Sequence, residues 1–438
     1  MSFVTRVARR LQSVMTVEAE QAAARTRVIR RQRKLTGPSL AQGLVFGWMQ
    51  HPDATLEQLS QMVRTCGADI TAQALDQRFT PALADFLQQL LESAVSQTLQ
   101  TDPIPLELLR RFEGVYLTDS TVILLPNAFS KLWPGCGGSG RRRDCAVKLQ
   151  VRLELSRGQL LGPELVPART SEQRAPLGKP VLPPGALWLA DLGYFNLDSF
   201  RQLNEQRAFF ISRLQSPTAV YDGCGHRLNL LRLLRSSGSF DLEVEVGTAQ
   251  RLPCRLLAWQ VNQSTAARRR RAVRRAAVKH GFQASPQRLA YCAYDVVITN
   301  TPQEKLTLRE ASVLLRARWQ VEMLFKLWKT YGRLDESRSQ KPWRQLLEVY
   351  AKLIGLVIQH WILLTCCWDR PHRSCLKACR AVQDQVLLIA YNLFSVRKIT
   401  RSLEQLRDRL ARCATNIRNK SPSTYQLLAN PLLASRLT

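Results

Sequence analysis

The periodicity of the apolar residues changes twice along the chain, and this change limits the possible folds more than any other feature. Residues 37–109 have a helical pattern, residues 110–300 consist mainly of short strand-like segments, and the residues after Asn300 are helical again. Helical stretches, such as the one that begins at Leu197, interrupt the strand-like segments. The pattern predicts an α/β fold with a helical region on either side.

The 438 residues carry a formal charge of +29, which is unevenly distributed. The balance is +7 for residues 1–36, −6 for residues 37–109 and +28 for residues 110–438. This excess of cations indicates a polyanionic partner, most simply nucleic acid. Apolar residues make up 45% of the chain, which is enough for a core and excludes a disordered chain. We expect the polyanion to bind mainly downstream of residue 110, with help from a basic arm at 1–36.

The cysteines indicate a reducing compartment, because the eleven cysteines include no C-x-x-C pair. The chain also begins without an apolar signal segment, so a cytoplasmic protein is expected. His372, Cys375 and Cys379, with Cys366 and Cys367 nearby, are candidate zinc ligands. Their spacing matches no common zinc finger, so we expect these residues to pack in a helical core.

The longest apolar run covers residues 350–367 and contains Lys352, Gln359 and His360. Three polar side chains in the middle of the run would be costly in a lipid bilayer. The run therefore predicts a buried helix and no membrane partner.

Three helices are predicted in the acidic segment. An amphipathic run from Leu56 to Thr65 ends at Gly67, a second helix begins near Ile70, and a third passes through Phe86. Two short helices around a glycine-containing turn are typical of a helix-turn-helix, but the spacing is generic and the segment is acidic. A DNA-end-binding domain and ordinary helical packing both remain open.

Two strand-like segments lead into single aspartates. Residues 115–117 place apolar side chains on the face of Asp119, and residues 187–189 do the same for Asp191. We expect each strand to end at its aspartate. A carboxylate that continues a buried face is costly unless it is paired or bound to a cation, and Mg²⁺ takes one or two carboxylates together with phosphate oxygens. Each aspartate alone fits a strand-end turn, whereas both together in so basic a chain indicate metal-assisted phosphodiester chemistry.

A third carboxylate, Glu322, lies in a helix predicted over residues 314–329. At about 100° per residue, Arg318, Glu322 and Lys329 fall on one stripe of that helix, beside an apolar face. The stripe either presents a carboxylate flanked by two cations to a site or forms an ordinary exposed i,i+4 pair.

A run of arginines between Ala266 and His280 predicts a strongly basic helix. Arginines this close repel one another unless they are solvated or bound to anions. The run therefore indicates contact with nucleic acid, and a solvated helix face is the alternative.

Three segments together resemble the catalytic segments of the DDE transposases. They are VYLTDST at Val115–Thr121, LADLGYF at Leu189–Phe195 and RWQVEMLFKLWK at Arg318–Lys329. The chain is most similar to the insertion-sequence family numbered four, whose signature is Y-x2-R-x3-E-x6-K. Arg318, Glu322 and Lys329 have that spacing, whereas Leu315 stands at the tyrosine position.

The resemblance implies a ribonuclease-H-like core with acids on the first strand, the fourth strand and a later helix. Asp119, Asp191 and Glu322 would then be the catalytic metal ligands of two Mg²⁺ ions, with Mn²⁺ as a substitute. The implied activity is cut-and-paste transposition in the bacterial cytoplasm, at the nucleoid. The implied partners are double-stranded DNA, as terminal inverted repeats and target, and a second copy of the chain in a synaptic homodimer.

Cations of the Arg318–Lys329 segment and of the basic run are candidates to contact DNA. The candidate DNA-binding residues are Arg318, Lys329, Lys326, Arg268, Arg269, Arg270, Arg271, Arg274, Arg275 and Lys279. Trp259, Tyr291 and Tyr294 are candidates to stack on an extruded base, with core packing as the alternative. A transposase-derived DNA-binding protein, which only Leu315 favours, and a basic endonuclease on the same core are the alternative functions.

We expect six regions along the chain. They are a basic arm (1–36), a helical region with a candidate helix-turn-helix (37–109), the first part of the catalytic core (110–206), a β-rich insertion domain (207–292), the second part of the core with the Glu322 helix (293–345) and a C-terminal helical region (346–438).

Overall fold

The computed structural model describes residues 1–29, 34–136, 145–368, 370, 373–411 and 422–436. The strands are β1 (Val115–Leu124), β2 (Ala146–Glu154), β3 (Leu160–Pro167), β4 (Leu187–Ala190), β5 (Phe209–Arg213), β6 (Val220–Tyr221), β7 (Phe240–Val246), β8 (Leu252–Gln260) and β9 (Tyr294–Thr299). They form a mixed sheet in the order β3-β2-β1-β4-β5-β9-β8-β7-β6. β4 pairs in parallel with β1 and β5, and β9 pairs antiparallel with β5 and β8.

The helices before the first strand are α1 (Phe3–Ser13), α2 (Ala19–Thr26), α3 (Gly37–Gln50), α4 (Leu56–Thr65), α5 (Ala72–Asp76), α6 (Pro81–Ser96) and α7 (Glu107–Arg110). Those among the strands are α8 (Leu197–Glu205), α9 (Leu230–Ser237), α10 (Gln263–Lys279) and α11 (Pro286–Tyr291). Those after the last strand are α12 (Leu308–Ala317), α13 (Trp319–Thr330), α14 (Pro342–Cys366), α15 (Cys375–Tyr391), α16 (Val396–Ala411) and α17 (Thr424–Ala429). The sheet and its many helices confirm the expected α/β class.

Two of the sequence expectations for the strands are wrong. β1 continues without a break to Leu124, so Asp119 lies inside the strand and not at its end. The β-branched residues Thr121 to Ile123 suit an extended chain, which explains why the polar pair Asp119-Ser120 does not interrupt it. The second expectation is a connection rich in proline and glycine from Pro163 to Gly185, whereas β3 continues to Pro167. It is an edge strand of the sheet, where proline is tolerated.

The chain divides into two compact units. The first comprises Met1–Ile104, Asp119–Ser171 and Val321–Asn416, and the second comprises Pro105–Thr118, Glu172–Gln320 and Ile417–Thr438.

In the first unit the apolar helix α14 packs against α3, α6 and α16. α14 is long and apolar enough to cross a membrane by length and composition, but 94% of its most apolar window is buried in the protein. Its polar residues have partners: the Lys352 ammonium lies 2.8 Å from Glu348, and His360 Nε2 lies 2.8 Å from the carbonyl oxygen of Gly158. The expectation of a buried helix is confirmed.

The start of the basic arm is helical in the structure. α1 and α2 are joined by a π-helical turn at Val14–Glu18, and they bury a row of apolar residues that includes Val7 and Leu11. Arg30, Arg31 and Arg33 lie outside the described residues. The part of the arm that the structure describes is therefore a packed element and not a free tail.

The cysteines that were weighed as zinc ligands lie in the first unit. Cys366, Cys367 and Cys379 are buried, and burial raises the pKa of Cys379 to about 12. His372 lies outside the described residues. Thiols that burial keeps neutral suit packing in a helical core, as expected from a spacing that matches no common zinc finger.

The second unit has an aromatic core beneath β4 and β5. The rings of Phe200 and Phe210 stack at 4.3 Å, and Trp188 lies 6.1 Å from Phe200. The Trp188 indole N–H donates a hydrogen bond to Thr118 Oγ1 at 3.2 Å. This packing holds β4 in place, and Asp191 is the residue that follows the strand.

Candidate active site

The two aspartates occupy equivalent positions relative to the pairing of β1 and β4. Leu117 pairs with Leu189 in a parallel register, and each aspartate follows its paired leucine by two residues. Asp119 is half-buried, and its Oδ1 accepts a hydrogen bond from the backbone N–H of Ser120 at 2.8 Å. Asp191 directly follows β4. The sequence prediction that Asp191 stands at a strand end is therefore confirmed.

The predicted Glu322 helix is interrupted at Arg318. α12 ends at Ala317 and α13 begins at Trp319, although Arg318 itself keeps helical backbone angles (φ −51°, ψ −31°). No glycine or proline marks this position, so the sequence carries no signal for the break. The angular relation between Glu322 and Lys329 falls within α13 and is confirmed there.

Within α13, Glu322 lies in the first turn and Lys329 in the last. Both positions suit the helix dipole, which favours a carboxylate at the amino end and a cation at the carboxyl end. The two residues are seven positions apart, about two helical turns, so their side chains share one face of the helix. Lys329 Nζ donates a hydrogen bond to the carbonyl oxygen of Val122 at 3.3 Å. Lys329, on the same helix face as Glu322, thus contacts the strand of Asp119.

Arg318 contacts the other aspartate. Its Nε lies 3.4 Å from Asp191 Oδ1, and the two side chains are 16% and 34% exposed. The structure therefore brings Arg318 to Asp191 within the second unit, and Lys329 to the strand of Asp119 within the first. Lys326 is exposed on α13.

Two charged residues beside Asp191 were missed in the sequence. Arg213 ends β5, and the pairing of Ala190 with Ser212 places it level with Asp191. Its Nε lies 3.4 Å from Asp295 Oδ1. Burial lowers the pKa of Arg213, while Asp295 raises it. A cation at the end of a predicted strand was the available signal.

Arg213 also interacts electrostatically with Arg269, Arg318 and Asp191. Three guanidinium groups therefore surround two carboxylates in this part of the second unit, which leaves a positive excess. Such an excess favours an anion close to Asp191.

A cavity of about 670 Å³ opens in the second unit next to Asp191. Its lining includes Leu192, Arg213, Arg269, Tyr291 and Tyr294. Burial raises the pKa of Tyr291, so the phenol stays neutral near pH 7.

The three aromatic candidates for base stacking have different surroundings. Tyr291 and Tyr294 line the cavity, whereas Trp259 is buried in β8 with 8% of its surface exposed. Trp259 pairs in register with Asp295. Trp259 is therefore a core residue, which is the alternative that the sequence left open. Tyr291 and Tyr294 remain candidates to stack on an extruded base.

The basic helix α10 presents most of its cations to solvent. Two of the predicted DNA contacts have protein partners instead: the Arg269 guanidinium lies 2.9 Å from Asp295, and Arg270 Nε donates to the carbonyl oxygen of Leu289 at 3.2 Å. The exposed cations lie within an arc of about 140°. They are Arg268, Arg271, Arg274, Arg275 and Lys279. We call these five residues the α10 cationic face.

Most of this chain is similar in sequence to known proteins. Residues 110–358 match the family model of the transposase DDE domain. The chain is 24% identical over 366 residues to the transposase for insertion sequence element IS231B of Bacillus thuringiensis subsp. berliner, which covers 77% of this chain and 75% of that protein.

Two further relatives have the same description. The chain is 24% identical over 432 residues to the transposase for insertion sequence element IS231F of Bacillus thuringiensis subsp. israelensis, with 90% of this chain and 89% of that protein covered. The transposase for insertion sequence element IS1151 of Clostridium perfringens is 24% identical over 371 residues, with 80% and 78% covered. Because the family model spans more than half of the chain and includes Asp119, Asp191 and Glu322, this protein belongs to the family of transposases with a DDE domain.

Proposed function

We propose that this protein is the transposase of an insertion sequence, which cuts DNA at the ends of its element and transfers the ends to a target. The observation that carries the proposal is the placement of three carboxylates within the matched residues. Asp119 lies on the first strand, Asp191 follows the fourth and Glu322 lies on a later helix. The resemblance assigns the catalytic acids to these three positions.

We further propose that β1 to β5 form a ribonuclease-H-like core. The order β3-β2-β1-β4-β5 within the sheet and the parallel pairing of β4 with both neighbours support this proposal. β6, β7 and β8, with the helices α9, α10 and α11, are then the insertion between the fourth-strand aspartate and the Glu322 helix. This proposal differs from the expected insertion domain at 207–292 in one respect, because it assigns β5 to the core. The similarity of the Arg318–Lys329 segment also supports membership in the insertion-sequence family numbered four.

Transposases of this family use divalent metal ions. A set of three carboxylates fits Mg²⁺, which prefers oxygen ligands and shares its coordination sphere with water and phosphate oxygens, and Mn²⁺ accepts the same ligands. We assign Asp119, Asp191 and Glu322 as ligands of two such ions. When bound, the ions supply Lewis-acid activation of a water molecule and stabilise the leaving 3′ oxygen.

The chain's own cations bind and orient the DNA. Arg318, 3.4 Å from Asp191, is placed to donate to a phosphate oxygen at the scissile bond, where charge-assisted hydrogen bonds are strong. Lys329 lies on the same face of α13 as Glu322, and its ammonium group contacts β1 at Val122. The α10 cationic face binds phosphates further along the duplex and adds affinity without sequence preference.

The cavity beside Asp191 suits an extruded nucleotide. Tyr291 and Tyr294 supply rings for stacking, and Arg213 supplies a cation for its phosphates. Cleavage through a hairpin at the element end would need such a site. A synaptic homodimer on paired terminal repeats completes the proposed assembly.

Glu322→Gln tests the proposed function, because it removes the charge and keeps the volume. We expect this variant to lose Mg²⁺-dependent nicking of DNA that carries the element ends, while the Kd for the same DNA changes little. Glu304→Gln, which removes an exposed carboxylate outside the site, is the matched control and should cut normally. Nicking by Glu322→Gln at the normal rate would contradict the assignment.

The same assay separates the alternative functions. Leu315, 8% exposed in α12, is the one feature that favours a DNA-binding protein without transposition activity. Such a protein would bind the ends but would not transfer strands. A basic endonuclease would cut duplexes with and without terminal repeats at equal rates.

A further inference from the structure

A turn between β6 and α9 gathers three different metal-binding side chains outside the carboxylate triad. Asp222, Cys224 and His226 alternate with glycines in the sequence D-G-C-G-H, and their ligand atoms all lie within 4.8 Å of one another. Neither the family resemblance nor the proposed function uses these residues. We propose that this turn is a Zn²⁺ site, with Asp222, Cys224 and His226 as three protein ligands and a fourth position open to water.

The backbone already holds the turn in a chelating shape. Asp222 Oδ1 accepts hydrogen bonds from the backbone N–H groups of Cys224 at 2.9 Å and His226 at 2.8 Å. The backbone N–H of Asp222 donates to the carbonyl oxygen of His226 at 3.0 Å, which closes the turn. Gly225 has a φ of +84°, a conformation that other residues rarely adopt. The turn therefore needs little rearrangement to bind a cation.

The distance between the imidazole and the carboxylate suits a tetrahedral ion. Zn–N and Zn–O bonds of about 2.0–2.2 Å place two ligands about 3.4 Å apart at a tetrahedral angle. His226 Nδ1 lies 3.5 Å from Asp222 Oδ2. The Cys224 sulfur lies within 4.8 Å of both atoms, so a small rotation of its side chain completes the third bond.

The donor set selects the metal. A thiolate and an imidazole favour Zn²⁺ and other borderline or soft ions over Mg²⁺, which prefers oxygen. The site is therefore chemically distinct from the triad.

The surrounding charges allow a cation to bind. Arg251 approaches the turn at Gly225, but its guanidinium stacks on Tyr221 and pairs with Glu245 at 3.1 Å. Its positive charge is thus balanced by Glu245 beside the turn. Cys224 and His226 are exposed, so an ion reaches them directly from solvent.

A bound ion would stabilise the edge of the sheet. β6 pairs with β7 through only two residues, Val220 and Tyr221, and the Zn²⁺ turn follows immediately. Closing the turn with metal ligands would add stability to a short edge strand, because ligand binding and local folding are linked.

The test uses the full-length protein, reduced and stripped of metal, titrated with Zn²⁺ in competition with a chromogenic chelator. We expect wild type to bind one more equivalent of Zn²⁺ than Cys224→Ser or His226→Gln. Cys136→Ser, which removes another exposed cysteine, should bind as wild type does. Equal stoichiometry in wild type and both turn variants would overturn the proposal and leave an exposed Asp–His pair.

Two further readouts separate the site from adventitious binding. Co²⁺ bound to wild type should show a thiolate charge-transfer absorption, which Cys224→Ser loses and Cys136→Ser keeps. Zn²⁺ should slow amide hydrogen exchange at residues 220–228 in wild type but not in His226→Gln. Because the variants change an exposed turn, unchanged melting temperatures are expected without metal. An absorption that survives in Cys224→Ser would place the ion elsewhere and reject the site.

Discussion

The contact between Arg318 and Asp191 determines how charge is balanced at the candidate site. The guanidinium lies 3.4 Å from a carboxylate that we assign to a metal ion, and both groups are partly buried. A cation next to a metal ligand weakens metal binding, because like charges repel, and strengthens phosphate binding. Arg318 therefore favours the DNA backbone at the expense of some metal affinity.

Arg318→Gln should separate these two effects. Without the guanidinium we expect single-turnover nicking to fall by about 10²-fold at saturating Mg²⁺, as for the loss of one donor to a transition-state oxyanion. The Mg²⁺ concentration for half-maximal rate should decrease, because a repulsive charge is gone. Arg318→Lys keeps the charge but loses the planar fork, so its rate should be intermediate. Arg309→Gln on the exposed side of α12 is the control, and a higher Mg²⁺ requirement in Arg318→Gln would contradict the argument.

His360 is a residue whose effect on stability depends on pH. It is fully buried in α14, and desolvation lowers its pKa from 6.5 to about 4, against the opposing hydrogen bond to Gly158. Above pH 6.5 the imidazole is neutral in both the folded and unfolded protein, so it causes no pH dependence. As the pH falls from 6.5 to 4, the unfolded chain takes up the proton and the folded protein does not. Stability is therefore lost within this window.

Urea unfolding should show this loss as a difference between two variants. We expect the free energy of unfolding of the first unit to fall by about 2 kcal/mol more in wild type than in His360→Gln between pH 7.5 and pH 5. Carboxylates titrate in both proteins, so the comparison isolates the imidazole. Equal pH dependence in wild type and His360→Gln would show that His360 is not buried in the neutral form.

At the scale of the elements, local sequence patterns located most helices and strands but not their interruptions. α4 begins and ends at the predicted positions, and α5 begins close to its predicted start, because the capping residues Thr55 and Thr71 mark these positions. The break at Arg318 has no local signal. The continuation of β1 past Asp119 has one in the β-branched residues Thr121 to Ile123, but the polar pair before them obscures it.

α10 shows how one basic run divides into two roles. The sequence predicted DNA contacts for all seven of its cations, but Arg269 and Arg270 face the protein. The remaining five form the α10 cationic face. Helical periodicity does not by itself show which of these cations face the protein. It does so once the structure shows that Ala266 and Ala277 lie on the buried side of α10.

Neutralising part of the α10 cationic face should weaken DNA binding without stopping the chemistry. For the combined variant Arg268→Gln, Arg271→Gln and Arg275→Gln, we expect the slope of log affinity against log salt to decrease by about 2 to 3. The Kd at low salt should rise by about 10-fold or more, equally for element-end and unrelated duplexes. Fluorescence anisotropy over a salt series measures both quantities.

The control for this variant removes the same charge from α16, through Arg401→Gln, Arg407→Gln and Arg409→Gln, which are exposed in the structure. An equal loss of affinity in both variants would show that α10 has no special role in binding.

At the scale of the whole molecule, the sequence predicts the fold class, the buried helix and the charge distribution, but it does not predict the order of the strands. These three features can be read from single stretches of sequence, without knowing which segments are neighbours in space. The pairing of β5 with β9, and of β9 with β8, joins segments far apart in the chain, such as Ile211 and Thr299. The placement of Arg213 beside Asp191 depends on the pairing of β4 with β5, and that of Asp295 beside Arg213 depends on the pairing of β5 with β9. This dependence on strand order explains why these residues were missed.

The net charge of +29 and the three carboxylates have opposite effects on DNA, and this opposition gives a prediction for the entire chain. Without divalent metal the carboxylates repel the phosphate that the surrounding cations attract. The combined variant Asp119→Asn, Asp191→Asn and Glu322→Gln should therefore bind an unrelated duplex more tightly than wild type in EDTA, on the order of 10-fold. Added Mg²⁺ should raise the affinity of wild type and leave that of the variant nearly unchanged, because only wild type keeps the ligands. A variant that binds more weakly in EDTA, or that responds to Mg²⁺ as wild type does, would show that these residues do not form the metal site next to the DNA backbone.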